Sequence, residues 1–180
     1  CVSPNQCGLK ATAGRSFVVL GCRSGCSNYK CMMLPTSLTM QVVVRSAGVR
    51  FEDLGIKGNG RQLEVVDVSN GCLDMYRCNV SGGCCPDGGG AVRVEGSRAS
   101  LSARHTTLHS SRANGLVVLQ GASANLQHCT VSDNGRHGVS GRGNGSKIEA
   151  IHTHIDGNQE SNIAITGAAH ASLKHVTCNS

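Results

Sequence analysis

Aromatic side chains are almost missing from this chain: it has no Trp, two Tyr and two Phe. A compact globule usually fills its centre with several rings, because each buries a large area. Their scarcity excludes a thick, ring-filled core and asks for thin layers of Val, Ile, Leu, Ala and Cys. It also counts against sugar stacking and leaves no aromatic platforms for nucleic-acid bases. No run of about 18 apolar residues occurs, so no membrane-spanning helix is expected. No signal-peptide pattern is visible, and the start at Cys1 rather than Met reads as a processed or excised segment. Helical stripes at i, i+3, i+4 and i+7 are absent as well, and Gly, at 24 residues, recurs too often for helix.

What the chain has instead is a repeat. A hexapeptide typified by Leu126-Gln127-His128-Cys129-Thr130-Val131 returns with its first residue at 51, 75, 103, 126, 150 and 173. The steps are 24, 28, 23, 24 and 23 residues, a regular period of the kind that marks solenoids. The residue two places before each hexapeptide is apolar (Val49, Leu73, Leu101, Ala124, Ile148, Ala171). So is the first residue (Phe51, Met75, Ala103, Leu126, Ala150, Leu173). The fourth is small or apolar (Leu54, Cys78, Thr106, Cys129, Thr153, Val176), and the sixth is Ile56, Val80, Leu108, Val131, Ile155 or Cys178. Each coil therefore reads in–out–in, shifts phase by one residue, and reads in–out–in again. Alternation is the period of a strand, and the phase shift places a corner at the third residue.

A further apolar pair supplies a third side: Val42 and Val44, Val66 and Val68, Val92 and Val94, Val117 and Leu119, Val139 alone, then Ile163 and Ile165. Three residues past each sixth position stand the turn formers Asn59, Gly83, Ser111, Asn134 and Asn158. The Gly and Asn among them favour the left-handed conformation. Three short strands per coil, stacked, give parallel sheets in which the rest of the coil serves as the crossover. This pattern resembles the right-handed parallel β-helix of the pectate-lyase-like type, with parallel β-helix repeats, over roughly residues 38–180. The expectation is an all-β solenoid of about six to seven coils of 23–28 residues, with residues 1–36 as a Cys-rich irregular cap or first coil and 37–180 as the repeats. Phe17-Val18-Val19-Leu20, between Gly14 and Gly21, reads as a strand within that first part.

The third position of the hexapeptide holds Asp53, Arg77, His105, His128, His152 and His175. Stacked strands lie about 4.8 Å apart, so four successive imidazoles should form a ladder along one edge. One reading is a strip for a metal or ligand; the other, which the missing Asp or Cys beside them favours, is a stacked turn ladder that shields the corner backbone. Of the 11 Cys, Cys78, Cys129 and Cys178 fall on inward positions and read as small hydrophobes. Cys1, Cys7, Cys22, Cys26, Cys31, Cys72, Cys84 and Cys85 remain, with no paired zinc knuckle among them. They fit disulfides in a secreted protein and free thiols in an intracellular one. The longest interruption, Cys84-Cys85-Pro86-Asp87-Gly88-Gly89-Gly90, is a candidate contact loop through Cys84, Cys85 and Asp87. It lacks the ending of a phosphate-binding loop.

Many proteins that resemble this fold cleave or epimerise acidic polysaccharides, using clustered carboxylates on one sheet face. None of the 11 acids here forms such a paired motif. Outward neighbours on adjacent coils could pair, such as Asp133 and Asp156 in the turn after the sixth position, against the two carboxylates about 5–9.5 Å apart that glycoside hydrolysis needs. No cofactor and no metal are expected, and no catalytic residue is assigned. The chain reads first as a non-catalytic structural or protein-interaction module of a larger assembly, and a final coil without a clear cap points to more protein or a partner there. The alternative is an extracellular carbohydrate-binding or carbohydrate-active domain. The net charge of +6 comes from scattered residues and makes nucleic acid the weakest partner class. Location stays open between an intracellular scaffold and the extracellular space.

Overall fold

The two in–out–in halves of each repeat lie in different sheets, and the apolar pair lies in a third. The computed structural model describes residues 8–10, 17–20, 38–39, 42–45, 48–58, 64–84 and 89–179. Cys1, Cys7, Cys22, Cys26, Cys31, Cys85 and Asp87 lie outside the described residues. The first sheet has eight strands: Gly8–Lys10, Phe17–Leu20, Val42–Val44, Glu64–Ser69, Gly90–Glu95, Asn114–Leu119, His137–Arg142 and Ser161–Thr166. The second has six: Val49–Glu52, Cys72–Tyr76, Ser100–Arg104, Ser123–Gln127, Lys147–Ile151 and His170–Lys174. The third has seven: Leu38–Thr39, Gly55–Lys57, Asn79–Ser81, Thr107–His109, Thr130–Ser132, His154–Asp156 and Thr177–Asn179. Strands of successive coils pair in parallel; Gly8–Lys10, antiparallel to Phe17–Leu20, is the exception. Phe17–Leu20, the strand expected in the first part of the chain, stacks on Val42–Val44. About five turns are described, slightly fewer than expected.

The interior is one side chain deep. Leu126, Val131, Ala150 and Ile155 have no exposed surface, and Ala103, Leu108 and Val80 continue their columns on neighbouring coils. In the fourth coil the inward pair is Leu116 and Val118, aligned with Val92 and Val94. Val117 and Leu119, expected inward, take the other face of the strand. In the fifth coil Gly141 follows Val139, and the room its missing side chain leaves is filled from two sides. A Cβ there would lie 2.8 Å from Ile148 Cδ1 and 3.0 Å from Ile165 Cδ1.

The corner explains the phase shift. Asp53, Arg77, His105, His128, His152 and His175 all adopt left-handed φ, between 48° and 55°. That conformation costs an ordinary L-residue about 1–2 kcal/mol, but Asp and His are among the types that visit it most readily. Here it turns the corner without losing a hydrogen bond. The corner N–H of His105 donates to Gln127 O (3.0 Å) and that of His128 to Ile151 O (3.1 Å), each on the next coil. The carbonyl just before the corner also accepts from the fourth hexapeptide residue. Thr106 Oγ1 donates to Arg104 O (3.0 Å), Cys129 Sγ to Gln127 O (3.3 Å) and Thr153 Oγ1 to Ile151 O (3.1 Å). Burial pushes the Cys78 and Cys129 thiols up from their ordinary pKa, so they stay protonated and able to donate. The fourth column is therefore a hydroxyl-or-thiol column as well as an apolar one.

The turn from the third sheet to the first holds a second device. Gly83 takes positive φ as expected (103°), but in the later coils the left-handed residue is Ser110, Asp133 or Gly157 (φ 52°, 54° and 60°), one position before Ser111, Asn134 and Asn158. Asn134 and Asn158 instead point inward and form a ladder. Asn134 Oδ1 accepts from the Ser111 N–H (3.1 Å), and Asn158 Oδ1 accepts from Asn134 N–H (3.1 Å) and Nδ2 (2.9 Å). Space for them comes from the strand that follows. A Cβ on Gly115 would lie 2.7 Å from Asn134 Nδ2, and one on Gly138 2.7 Å from Asn158 Nδ2. Along the aligned columns the turn residue grows, from Gly83 through Ser111 to Asn134 and Asn158. The strand residue shrinks to match, from Val65 through Ala91 to Gly115 and Gly138.

This seam makes a testable demand. Gly115→Ala should lower stability by about 1–3 kcal/mol through overpacking, measured by urea denaturation. Combining it with Asn134→Ser, which re-creates the Ala91–Ser111 pair, should recover part of that loss. A double variant no more stable than the sum of the two single changes would refute the size matching.

Candidate functional site

Three faces carry polar chemistry. At the corner between the second and third sheets, the rings of His105, His128, His152 and His175 stack with centroids 5.2, 5.1 and 4.7 Å apart and planes within 6°. The structure thus brings together all four ladder residues expected from the sequence, and all four are exposed. Tyr76 meets His105 edge-on at 5.7 Å. Arg77, whose guanidinium lies 4.2 Å from the Tyr76 centroid, pairs through Nε with Asp53 at 2.5 Å. A zinc ion needs nitrogens about 2.0–2.1 Å away from several directions. Rings in parallel planes direct their nitrogens side by side, so adjacent rungs do not converge on one ion. Among the described residues no group of three or more His, Cys, Asp or Glu is placed to hold a metal.

The second feature is a trough of about 670 Å³ on the outer side of the second sheet. Its floor is built from small side chains, among them Ser100, Ser102, Ser123 and Asn125, with Lys147 and Glu149 farther along. Strand pairing puts Asp74, Ser102, Asn125, Glu149 and Ser172 in one outward column across five coils. The two acids of that column already have partners. Asp74 lies 3.6 Å from Arg50 and 3.4 Å from Arg104, and Glu149 accepts from Asn125 Nδ2 at 3.1 Å. Three strand spacings separate Asp74 from Glu149, about 14 Å, which exceeds the 5–9.5 Å of a glycosidase pair.

The third feature lies where the last two strands of the first sheet, His137–Arg142 and Ser161–Thr166, begin. His137 and Ser161 are directly paired on adjacent coils. Ser161 Oγ is 2.7 Å from His137 Nδ1, and His137 Nε2 is 3.3 Å from Glu160 Oε2. The other Glu160 oxygen accepts from Arg136 Nε at 2.7 Å. Partial burial pulls the His137 pKa below its ordinary value against the opposing pull of Glu160. The hydrogen bond from Arg136 holds the Glu160 carboxyl below the usual range.

Of the remaining sequence candidates, Cys84 is a half-buried free thiol in the turn between the third and first sheets, away from the His corner, while Cys85 and Asp87 fall outside the described residues. Asp156 accepts from His154 Nε2 at 2.7 Å, and Asp133 stands exposed on the preceding coil. Sequence reasoning missed the His137–Ser161 pair. The signal was there, since the two are one 24-residue step apart, but they lie outside the hexapeptide that anchored the alignment.

Stacked parallel coils with three sheets and one-residue corners define a parallel β-solenoid. Residues 41–180 match the model of the right-handed β-helix region, and the chain belongs to that family. Neither a curated protein nor a solved structure matches it. Among the described residues no helix is long and apolar enough to cross a membrane.

Two measurements check these sites. His128→Ala keeps the left-handed strain and removes two stacking partners, so it should cost about 1 kcal/mol or more. His128→Gly removes the same stacking but also the strain, and should cost less; the opposite order would contradict this account of the corner. For His137, a lowered folded-state pKa means the folded protein binds fewer protons than the unfolded chain. Its contribution to stability is present above the unfolded value near 6.5 and is lost as pH falls through the folded pKa. The lowered Glu160 pKa acts in the same direction at more acidic pH. An NMR titration should place the His137 midpoint below 6.5; a midpoint at or above it would refute the burial effect.

Proposed function

We propose that this chain is a rigid interaction rod that receives an extended protein segment along the trough of the second sheet, within a larger assembly. The observation that carries this reading is the continuity of the trough. Its outward column crosses five coils, with Ser102 and Asn125 between Asp74 and Glu149 and Ser172 beyond Glu149. Small side chains leave a channel, and their hydroxyl and amide groups can pair with a backbone laid along the rod. The acids in the channel are engaged by Arg50, Arg104 and Asn125, which suits fixed recognition better than proton transfer.

A polysaccharide is the second reading, and the same row of hydroxyl and amide groups favours it. Among the described residues no Phe or Tyr lines the trough, and Tyr76, two residues beyond Asp74 on the same strand, has Arg77 over it at 4.2 Å. That cover weakens the case for sugar stacking on the ring. The protein reading is therefore preferred.

The test places a photo-crosslinking residue at position 125 in the protein within its native source, with and without Ser102→Arg. Residue 102 is exposed, so the substitution should leave the thermal midpoint within a few degrees. Protein adducts of defined mass that vanish with Ser102→Arg are expected. Binding on a glycan array that Ser102→Arg abolishes would move the assignment to polysaccharide. Adducts that persist unchanged in Ser102→Arg would overturn the trough as the contact face.

A further inference from the structure

The outer edge of the first sheet carries an arrangement that the interaction rod does not use. Ser161, His137 and Glu160 are linked in series: hydroxyl to Nδ1 at 2.7 Å, then Nε2 to carboxylate at 3.3 Å. Each link is fixed from outside. The Asn114 side chain accepts from the His137 backbone N–H (3.3 Å), and Arg136 holds the far oxygen of Glu160 (2.7 Å). An acidic partner on Nε2 selects the tautomer protonated there, which leaves the Nδ1 lone pair facing the Ser161 hydroxyl. A nucleophile within hydrogen-bond reach of a base, itself oriented by a third group, is the general signature of an activated serine. The two ring nitrogens are exchanged relative to the usual serine triad, but the roles are the same.

We propose that Ser161 is an acyl-accepting nucleophile with His137 as its base and Glu160 as the positioning residue, acting on carboxylic esters of anionic molecules. Ser161 Oγ bonds to the ester carbonyl carbon while its proton passes to His137 Nδ1. The tetrahedral oxyanion collapses, the C–O bond to the alcohol breaks, and the alcohol leaves with the proton from His137. Water then attacks the acyl carbon and gives a proton to His137; the carboxylic acid departs, and that proton returns to Ser161 Oγ. The anionic preference comes from Arg136 and Arg142. Arg136 directly precedes His137 and lies 2.7 Å from Glu160, and Arg142 closes the strand His137–Arg142 with its Nε 3.2 Å from Ser140 Oγ. The two guanidinium groups put positive charge at the two ends of the strand that bears the base, where it favours a developing oxyanion. The charged groups that bear on His137 are Glu160, Arg136 and Arg142, and burial keeps the imidazole neutral near pH 7. Ser161 is only partly buried and Glu160 is exposed, so an ester displayed on a larger molecule can reach the hydroxyl.

The experiment treats the protein with a fluorophosphonate probe and follows 4-nitrophenyl acetate hydrolysis in parallel. One adduct, mapped to Ser161 by peptide mass, is expected. Ser161→Ala, which removes one partly buried hydroxyl, should abolish both signals at an unchanged melting temperature. His137→Asn should slow labelling by about 100-fold or more. Glu160 raises the His137 pKa through its charge. Glu160→Gln should therefore move the acid limb of the labelling rate to lower pH while reducing its plateau, a shift that a purely structural role would not produce. A natural-sequence protein that takes up no probe at Ser161, an adduct that survives Ser161→Ala, or an acid limb unmoved by Glu160→Gln would each overturn the proposal.

Discussion

One backbone conformation governs this molecule: the single left-handed residue at the corner between the second and third sheets. A chain that bends there must still hand a hydrogen bond to the next coil, because a buried peptide group left without a partner costs about 1–3 kcal/mol. A φ near +50° achieves both. It keeps the corner N–H aimed along the rod, and the preceding carbonyl gains a second donor from the Thr or Cys at the fourth position. Residue choice follows. β-Branched side chains fit left-handed φ poorly, and the column holds Asp, Arg and four His. Identical backbone geometry on every rung then forces the His rings parallel, so their stacking is a by-product of the bend.

The hexapeptide alone made most of this legible. Its inward columns at Phe51 to Leu126 and at Ile56 to Ile155 are buried as read, and the three-sided coil follows from the phase shift at the corner. Where both parities of a strand are apolar, alternation has no power. Leu116-Val117-Val118-Leu119 offers two equally good inward pairs, and only stacking on Val92 and Val94 chooses between them. The inner Asn ladder escaped for a related reason. Asn134 looked like a turn residue because its intrinsic preference is for turns, whereas burial between Gly115 and Leu108 turns its amide inward. The trough left no mark in the sequence because a channel is made by the lack of bulk at Ser100, Ser102 and Ser123, and small residues carry no motif. The Ser161–His137 link needs a register that connects residues outside the hexapeptide.

The three outward faces have separate chemistries on one scaffold. The His corner is a row of exposed rings stacked in parallel planes. The second sheet offers a channel in which Asp74 is paired with Arg50 and Arg104 and Glu149 accepts from Asn125. The edge of the first sheet concentrates a base, an acid and a hydroxyl within two adjacent rungs. Because strand spacing is fixed, neighbouring rungs can cooperate in chemistry while distant ones can only share a long ligand. That difference divides the short-range cluster at Ser161 from the long trough.

The opposed size gradients at the third turn mean that the coils are not interchangeable parts. All of them share the same backbone outline, and nothing in the hydrogen-bond ladder alone would stop a coil from docking one step out of place. Side-chain volume supplies the missing label. Asn134 set against Ala91 would collide, and Ser111 set against Gly115 would leave a hollow. The seam thus works as a key cut differently at each level. It fixes the order of stacking and disfavours shifted or exchanged assembly with other rods of the same outline.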